Sequence, residues 1–235
     1  MMIDKNGVLM YDSKTRSKPN DPAYDHPKIP IKGLNHGGKF GEDGLETKLL
    51  KLQWCHVISM KLIRDFWNKM QENGYWDCMA VYGSMVDVTQ SQMVKLTAKM
   101  QGGTYASQSN LAEKILWAKW NLVSGPLHRS DEPTGELDDL RSRYGSVDDR
   151  RRILKLLNYG RQMEKWLAGM PSRKAIVREL IDQMKCDLNR RPVIKFDSEI
   201  WRVGSTSPQY DVTSDAKRTL VNPLWHLRGR IGKSD

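Results

Sequence analysis

The sequence is poor in the residues that build disulfide-linked, metal-bound or membrane-embedded folds. Its three cysteines, at positions 55, 78 and 186, lack the paired spacing of a disulfide framework or a zinc site, so we expect buried, reduced thiols. No apolar run approaches the roughly 18 residues that a membrane-spanning helix needs, so we expect no membrane partner. The segment Met1 to Asn6 lacks the apolar stretch of a secretory signal, which predicts a cytoplasmic or virion-interior protein.

Local signatures of catalysis, metal binding and phosphate binding are also missing. The five histidines are spread along the chain, and the neighbouring Cys55 and His56 would point to different faces of a helix. The glycine-rich stretch 36–41 lacks the Gly-Lys-Ser/Thr ending and the preceding strand of a phosphate-binding loop. No Gly-x-Ser-x-Gly nucleophile elbow occurs. We therefore name no catalytic, cofactor-binding or metal-binding residue and expect no enzyme and no cofactor.

What the chain has in excess is positive charge. Lysine and arginine total 38 against 28 aspartates and glutamates, which gives a net charge of +10 and a pI of about 9.5. The long-range field of such a surplus concentrates polyanions around a protein, so nucleic acid is the first partner to consider. A composition that serves solubility alone is the alternative. Since 39% of the residues are apolar, we expect a folded chain in either case.

Both ends of the sequence predict extended arms. Residues 18–30 contain four prolines, and five glycines follow within 33–44. Each proline removes a backbone donor and biases its predecessor toward extended geometry, which disfavours helix and central strand. We therefore predict an arm at 1–44 and a second arm at 192–235. Residues 1–44 and the proline- and glycine-containing end 204–235 are the expected contacts with other protein subunits of an assembly.

Between the arms, apolar residues recur at the three- and four-residue steps typical of helices. The first such stretch, 49–70, predicts one long helix that ends at Asn73 and Gly74, because both residues favour C-cap geometry. Further helices are predicted over 89–100 and 110–122, the latter closed by the Ser-Gly-Pro that follows. Together these stretches form a predicted helical subdomain, 45–125.

Two strong helical patterns follow a cluster of breaking residues and form a predicted basic helical subdomain, 135–191. Their apolar stripes run over 153–167 and 176–188. Beyond them, short alternating runs predict a small β hairpin near 193–203. The expected fold is therefore mainly α, with a bundle-like helical body, extended N- and C-terminal arms and that hairpin.

These last two helices carry most of the surplus charge. Residues 150–191 contain twelve basic and four acidic side chains, a net charge of +8. Lys174, Arg178 and Lys185 recur at steps of four and seven, which we interpret as a cationic face opposite the apolar stripe. Arginine is favoured over lysine, as suits multidentate contact with phosphate. The predicted nucleic-acid-binding residues are Arg150, Arg151, Lys155, Arg173, Lys174, Arg178, Lys185, Arg190 and Arg191.

These features favour two functions from different classes. The first is a non-catalytic structural component of a large multi-subunit assembly, such as a virus or phage particle. Its arms would contact neighbouring subunits, and its basic helices would contact nucleic acid mainly through phosphates. The second is a free-standing transcription or packaging factor that reads a groove with the second helix of a helix-turn-helix-like pair. A charged face that bridges to acidic neighbours of the same chain is the purely structural alternative.

Overall fold

The computed structural model describes nine stretches of the chain, which are mainly helical, as the apolar spacing predicts. These stretches are 2–3, 9–10, 22–25, 52–89, 113–126, 147–169, 173–195, 201–203 and 210–212. The chain divides into two compact units, each built from three separated segments. The first unit contains 1–25, 54–123 and 154–193, and the second contains 26–53, 124–153 and 194–235. The first unit therefore draws on both predicted subdomains and on the predicted N-terminal arm.

Short strands and turns alternate with four longer helices along the described chain. In chain order they are β1 (Met2–Ile3), β2 (Leu9–Met10), a 3-10 turn (Pro22–Tyr24), β3 (Leu52–His56), α1 (Met60–Glu72), α2 (Trp76–Ser84), a 3-10 turn (Lys119–Asn121), β4 (Leu122–Pro126), α3 (Val147–Leu167), α4 (Lys174–Leu188), β5 (Trp201–Val203) and β6 (Tyr210–Val212). The strands form three two-stranded sheets, β1–β2, β3–β4 and β5–β6.

The long helix predicted over 49–70 begins later than expected. The described residues at its predicted start form strand β3 instead, which pairs with β4. Pairing with a segment distant in sequence therefore overrides the helical spacing of the apolar residues. Helix α1 begins after Ser59, whose hydroxyl accepts the backbone N–H of Leu62 at 3.2 Å. The predicted end is confirmed, since Asn73 is the C-cap and Gly74 adopts a φ of +67°.

The helix predicted over 110–122 is also interrupted. Its described part is one helical turn at 113–116, followed by the 3-10 turn and by β4. The fully buried Asn121 accounts for the change from helix to strand at this point of the chain. Its Oδ1 accepts the backbone N–H of Ile58 and its Nδ2 donates to the Ile58 carbonyl, both at 2.8 Å. All but the first residue of the helix predicted over 89–100 lie outside the described residues.

The two helices of the predicted basic subdomain are confirmed. Helix α3 ends at Leu167 and α4 begins at Lys174, as the break between the two apolar stripes predicts. Helix α4 packs against α2, which in turn packs against α1. The buried residues that form the predicted stripes are Ile153, Leu156, Gly160 and Met163 on α3, and Val177, Leu180, Ile181, Met184 and Leu188 on α4.

The core of the first unit is rich in aromatic side chains. Trp67 meets Tyr82 at a centroid distance of 5.9 Å and an interplanar angle of 70°. Tyr82 meets Trp120 in the same edge-on manner, at 6.0 Å and 76°. Such arrangements place the positive edge of one ring against the negative face of another. The cluster links α1, α2 and the 3-10 turn that precedes β4.

Part of the predicted N-terminal arm belongs to this core. Tyr24 is buried, its hydroxyl donates to the Trp117 carbonyl at 2.8 Å, and its own carbonyl accepts the Trp54 indole N–H at 2.7 Å. Strands β1 and β2 form a short antiparallel hairpin, and β2 contacts α1. These described parts of 1–44 therefore lie on the protein's own body, and the rest of the predicted arm lies outside the described residues.

The hairpin predicted near 193–203 has a different partner strand. Residues 201–203 form β5 as expected, but β5 pairs with β6, with Trp201 opposite Val212. Ile194 is buried instead, and its carbonyl accepts the Ser124 N–H at 2.9 Å. The β5–β6 hairpin therefore lies within the predicted C-terminal arm. In the part of the chain that the structure describes, no helix has the length and apolarity to span a membrane.

The prediction of buried, reduced cysteines is confirmed at two positions and wrong at the third. Cys55 and Cys78 are buried free thiols, whereas the free thiol of Cys186 is exposed on α4. Burial raises the pKa of Cys78, and the neighbouring Asp77 raises it further, so this thiol keeps its proton. His56 lies on β3 rather than on a helix, and its Nε2 donates to the Leu116 carbonyl at 3.0 Å.

Candidate nucleic-acid interface

The predicted binding residues lie on α3, on α4 and on the short segments flanking α4. Eight of the nine side chains are exposed, and Arg178 is half-buried. Exposure alone does not make a cation available to a phosphate, because a carboxylate of the same chain can already occupy it. The ion pairs of each residue therefore decide how the set can function.

Lys174 and Arg178 both pair with a carboxylate of α2. Lys174 Nζ lies 2.9 Å from Asp77 Oδ1, and Arg178 NH1 lies 3.6 Å from Asp77 Oδ2. Arg178 also donates through Nε to Asp182 at 2.8 Å. The hydrogen bond from Lys174 lowers the pKa of Asp77, so this carboxylate stays ionised at neutral pH. Two central members of the predicted set are therefore largely neutralised within the first unit.

The predicted cationic face of α4 does not lie opposite the apolar stripe. Lys174 precedes the buried Ile181 by seven residues, a step of about two helical turns, so the two residues lie along the same line. Because α2 packs against α4, the cations that reach Asp77 border this helix contact. The prediction of an opposed face is thus wrong. The side of α4 that faces away holds the exposed residues Ala175, Glu179, Gln183 and Cys186.

Lys155 is engaged by Asp187, which joins α3 to α4. Lys155 Nζ lies 2.6 Å from Asp187 Oδ1, and the Tyr159 hydroxyl donates a short hydrogen bond to Oδ2. Burial raises the pKa of Asp187, but hydrogen bonds from Lys155 and Tyr159, together with the positive charges of Lys155 and Arg191, outweigh it and leave the pKa below its ordinary value. Burial, together with the bond to Asp187, raises the pKa of Tyr159. Around neutral pH, Asp187 is therefore ionised and Tyr159 is protonated, which are the forms that share this hydrogen bond.

This cluster predicts how the stability of the helix pair depends on pH. Because the pKa of Asp187 is lowered, its contribution is complete above its unfolded-state pKa of about 3.9 and is lost as the pH falls through the folded value. Because the pKa of Tyr159 is raised, its contribution is complete below about pH 10 and is lost as the pH rises through the folded value.

We expect Asp187→Asn to lower the thermal midpoint at neutral pH and to flatten its decline between about pH 5 and pH 2. Thermal melts followed by circular dichroism measure both effects. Glu179→Gln, an exposed carboxylate of the same helix, is the matched control and should leave the pH profile unchanged. An Asp187→Asn profile parallel to that of the unmodified protein would contradict this assignment.

Arg152 pairs with Asp149 of the same helix at 3.2 Å, whereas seven other cations on or beside the helix pair have no ion pair with any described carboxylate. Arg151 falls between the paired and the unpaired cations, because its NH1 lies 4.0 Å from Asp148 Oδ1. Arg161 and Lys165 were not among the predicted binding residues, although both are exposed on α3 at the four-residue spacing that places side chains together. Projecting α3 around its buried stripe would have identified them from the sequence. The cations without an ion pair to a described carboxylate are Arg150, Arg161, Lys165, Arg173, Lys185, Arg190 and Arg191, although the charge of Arg191 still acts on Asp187.

Comparisons with protein-family models, with curated proteins and with solved structures find no match to this chain. Function must therefore be inferred from the geometry and charge of the site itself.

Proposed function

We propose that the protein is a basic component of a multi-subunit assembly, such as a virus or phage particle, that binds nucleic acid through phosphates without reading sequence. The supporting observation is the division of cations into two classes. Arg152, Lys155, Lys174 and Arg178 are paired with carboxylates of the same chain, whereas seven others on or beside α3 and α4 have no ion pair with a described carboxylate. Dispersed cations that no described carboxylate pairs with suit a polyanionic backbone better than the edges of particular bases.

Arginine supplies most of the available charge. Five of the seven cations that have no ion pair with a described carboxylate are arginines, namely Arg150, Arg161, Arg173, Arg190 and Arg191. A guanidinium forms two parallel hydrogen bonds with phosphate oxygens and is weakly hydrated, so it loses less on leaving water than an ammonium does. These side chains are therefore the main proposed phosphate contacts.

A free-standing regulator that reads a groove with α4 has less support. Its favourable feature is the order of two helices separated by a break, with cations on the second helix. Lys174 and Arg178 would have to leave Asp77 to reach base edges, and the side of α4 that faces away from α2 offers no cation. We therefore favour contact with the nucleic-acid backbone.

Contact with other subunits is the second part of the proposal. It rests on the proline- and glycine-containing composition of 1–44 and 204–235, most of which lies outside the described residues. Because Tyr24 is part of the core, we assign the proposed subunit contacts within the N-terminal arm to 26–44.

Salt-dependent binding tests the nucleic-acid part of the proposal. Fluorescence anisotropy would measure the Kd of the full chain for two labelled duplexes of unrelated sequence over a series of salt concentrations. We expect the two Kd values to agree within about twofold and log Kd to rise linearly with log salt, at about 0.9 per neutralised phosphate. A triple variant, Arg161→Gln, Lys165→Gln and Lys185→Gln, should lower this slope by about two to three.

The matched control removes cations that are already neutralised. The double variant Lys174→Gln and Arg178→Gln should lower the slope by less than about one. A slope that the triple variant leaves unchanged, or a preference above about tenfold for one duplex, would overturn the proposal. The second result, together with a large effect of the double variant, would instead favour the groove-reading regulator.

A further inference from the structure

The first unit contains a cavity of about 730 Å³ that α3 does not line. Its walls come from four separated parts of the chain, namely Tyr24, the turn 85–87 after α2, the segment 113–120, and 190–193 after α4. Small-molecule sites commonly enclose about 300 to 1,000 Å³. The cavity is therefore large enough for a ligand the size of a nucleotide.

Cations outnumber carboxylates around this cavity, four to two. Lys114 Nζ donates to the backbone carbonyl of Asp87 at 3.0 Å, and Lys119 Nζ lies 5.5 Å from the centre of the Tyr24 ring. Both lysines are thereby held at the lining. Arg190 and Arg191 are exposed and have no ion pair with a described carboxylate. The charged lining residues are Asp87, Glu113, Lys114, Lys119, Arg190 and Arg191.

The remaining wall is apolar and largely aromatic. Tyr24, Trp117 and Trp120 line it, together with Met85 and Val86. Tyr24 and Trp117 meet edge to face at 6.3 Å and 88°, which fixes both rings. The indole N–H groups of Trp117 and Trp120 are buried without a hydrogen-bond partner in the described part of the chain.

Two lining residues have an unusual backbone conformation. Asp87 and Arg190 adopt φ values of 56° and 58°, and no other non-glycine residue in the described stretches has a positive φ. Arg190 directly follows Asn189, the C-cap of α4, where glycine is the usual left-handed residue. An arginine at this position accepts unfavourable backbone geometry, and this arginine lines the cavity. Such residues concentrate at binding sites.

We propose that this cavity binds a nucleotide, with the base against the aromatic wall and the phosphate held by Arg190 and Arg191. Apolar contact suits the planar base, and the guanidinium groups suit a phosphate through paired hydrogen bonds. The ligand is either a free mononucleotide or one nucleotide of a single strand, since both present the same chemistry. Arg190 and Arg191 also belong to the proposed duplex interface, but the cavity does not depend on the α3 cations of that interface, which do not line it.

Isothermal titration calorimetry of the full chain with adenosine monophosphate tests the site. Adenosine and inorganic phosphate, each lacking half of the ligand, should bind at least about tenfold more weakly. Arg190→Gly removes the guanidinium and suits the left-handed backbone, so the fold is retained. We expect this variant to weaken binding of adenosine monophosphate by at least about fivefold, and Lys185→Gln, outside the lining, to change it by less than about twofold.

The source of the nucleotide is distinguished by repeating the titration with a short single-stranded oligoadenylate. Weakening of both ligands by Arg190→Gly identifies a strand-binding site, and weakening of adenosine monophosphate alone identifies a site for the free nucleotide. Absence of binding, equal binding of adenosine, or an Arg190→Gly affinity equal to that of the unmodified protein would each overturn the proposal. The triple variant at Arg161, Lys165 and Lys185 should leave this affinity unchanged, so failure of the duplex interface is distinguishable from failure of this site.

Discussion

Asn121→Ala should destabilise the first unit by about 2 to 5 kcal/mol. The side-chain amide of Asn121 is fully buried and makes two hydrogen bonds of 2.8 Å with the backbone of Ile58. Truncation leaves a buried N–H and a buried carbonyl unpaired, and each such group costs about 1 to 3 kcal/mol. Urea denaturation followed by circular dichroism measures the free energy of unfolding.

Asn158→Ala is the matched control for this prediction. Asn158 is exposed on α3, so its truncation should change the free energy of unfolding by less than about 0.5 kcal/mol. If the Asn121 variant were as stable as this control, the two bonds to Ile58 could not be what determines the course of the chain into β4.

Trp166→Ala should cost about 3 to 5 kcal/mol, the range typical of a large buried aromatic side chain. Trp166 is only 5% exposed and meets Phe66 edge-on at 5.2 Å and 75°, which joins α3 to α1. Its removal forfeits this contact and leaves a cavity that the surrounding helices fill only in part. The same urea denaturation experiment measures the loss.

Leu154→Ala tests whether the loss of stability in Trp166→Ala comes from the burial of the side chain rather than from its position on α3. Leu154 is on the same helix but 56% exposed, so its truncation should cost less than about 0.5 kcal/mol. Similar losses for the two variants would show that Trp166 does not anchor α3 in the way described.

The parts of the fold that could be predicted are those that depend on local periodicity. Helices α3 and α4 each have one apolar stripe between clear breaks, and a spacing of three and four residues is sufficient to identify such helices. The segment 49–59 also has this spacing, yet residues 52–56 pair with β4. A strand partner so distant in sequence leaves no local signal, and neither do the bonds between Asn121 and Ile58.

The candidate site likewise has a part that could be predicted from the sequence and a part that could not. Composition located the surplus charge on α3 and α4, but not the carboxylates that occupy individual cations. Asp77 precedes Lys174 by 97 residues, and only the packing of α2 against α4 brings the two together. The cavity at Arg190 is assembled from four distant parts of the chain, so no single motif could have indicated it.

The interleaved order of segments in the first unit affects how the protein is made. A ribosome releases α1 and α2 long before it has translated α4, the helix against which α2 packs. Until residue 193 has left the exit tunnel, the nascent chain exposes apolar surface that its own later residues will cover. Such surface is what chaperones bind and what drives premature association. Completion of this unit is therefore a late event in translation, despite its early start in the sequence.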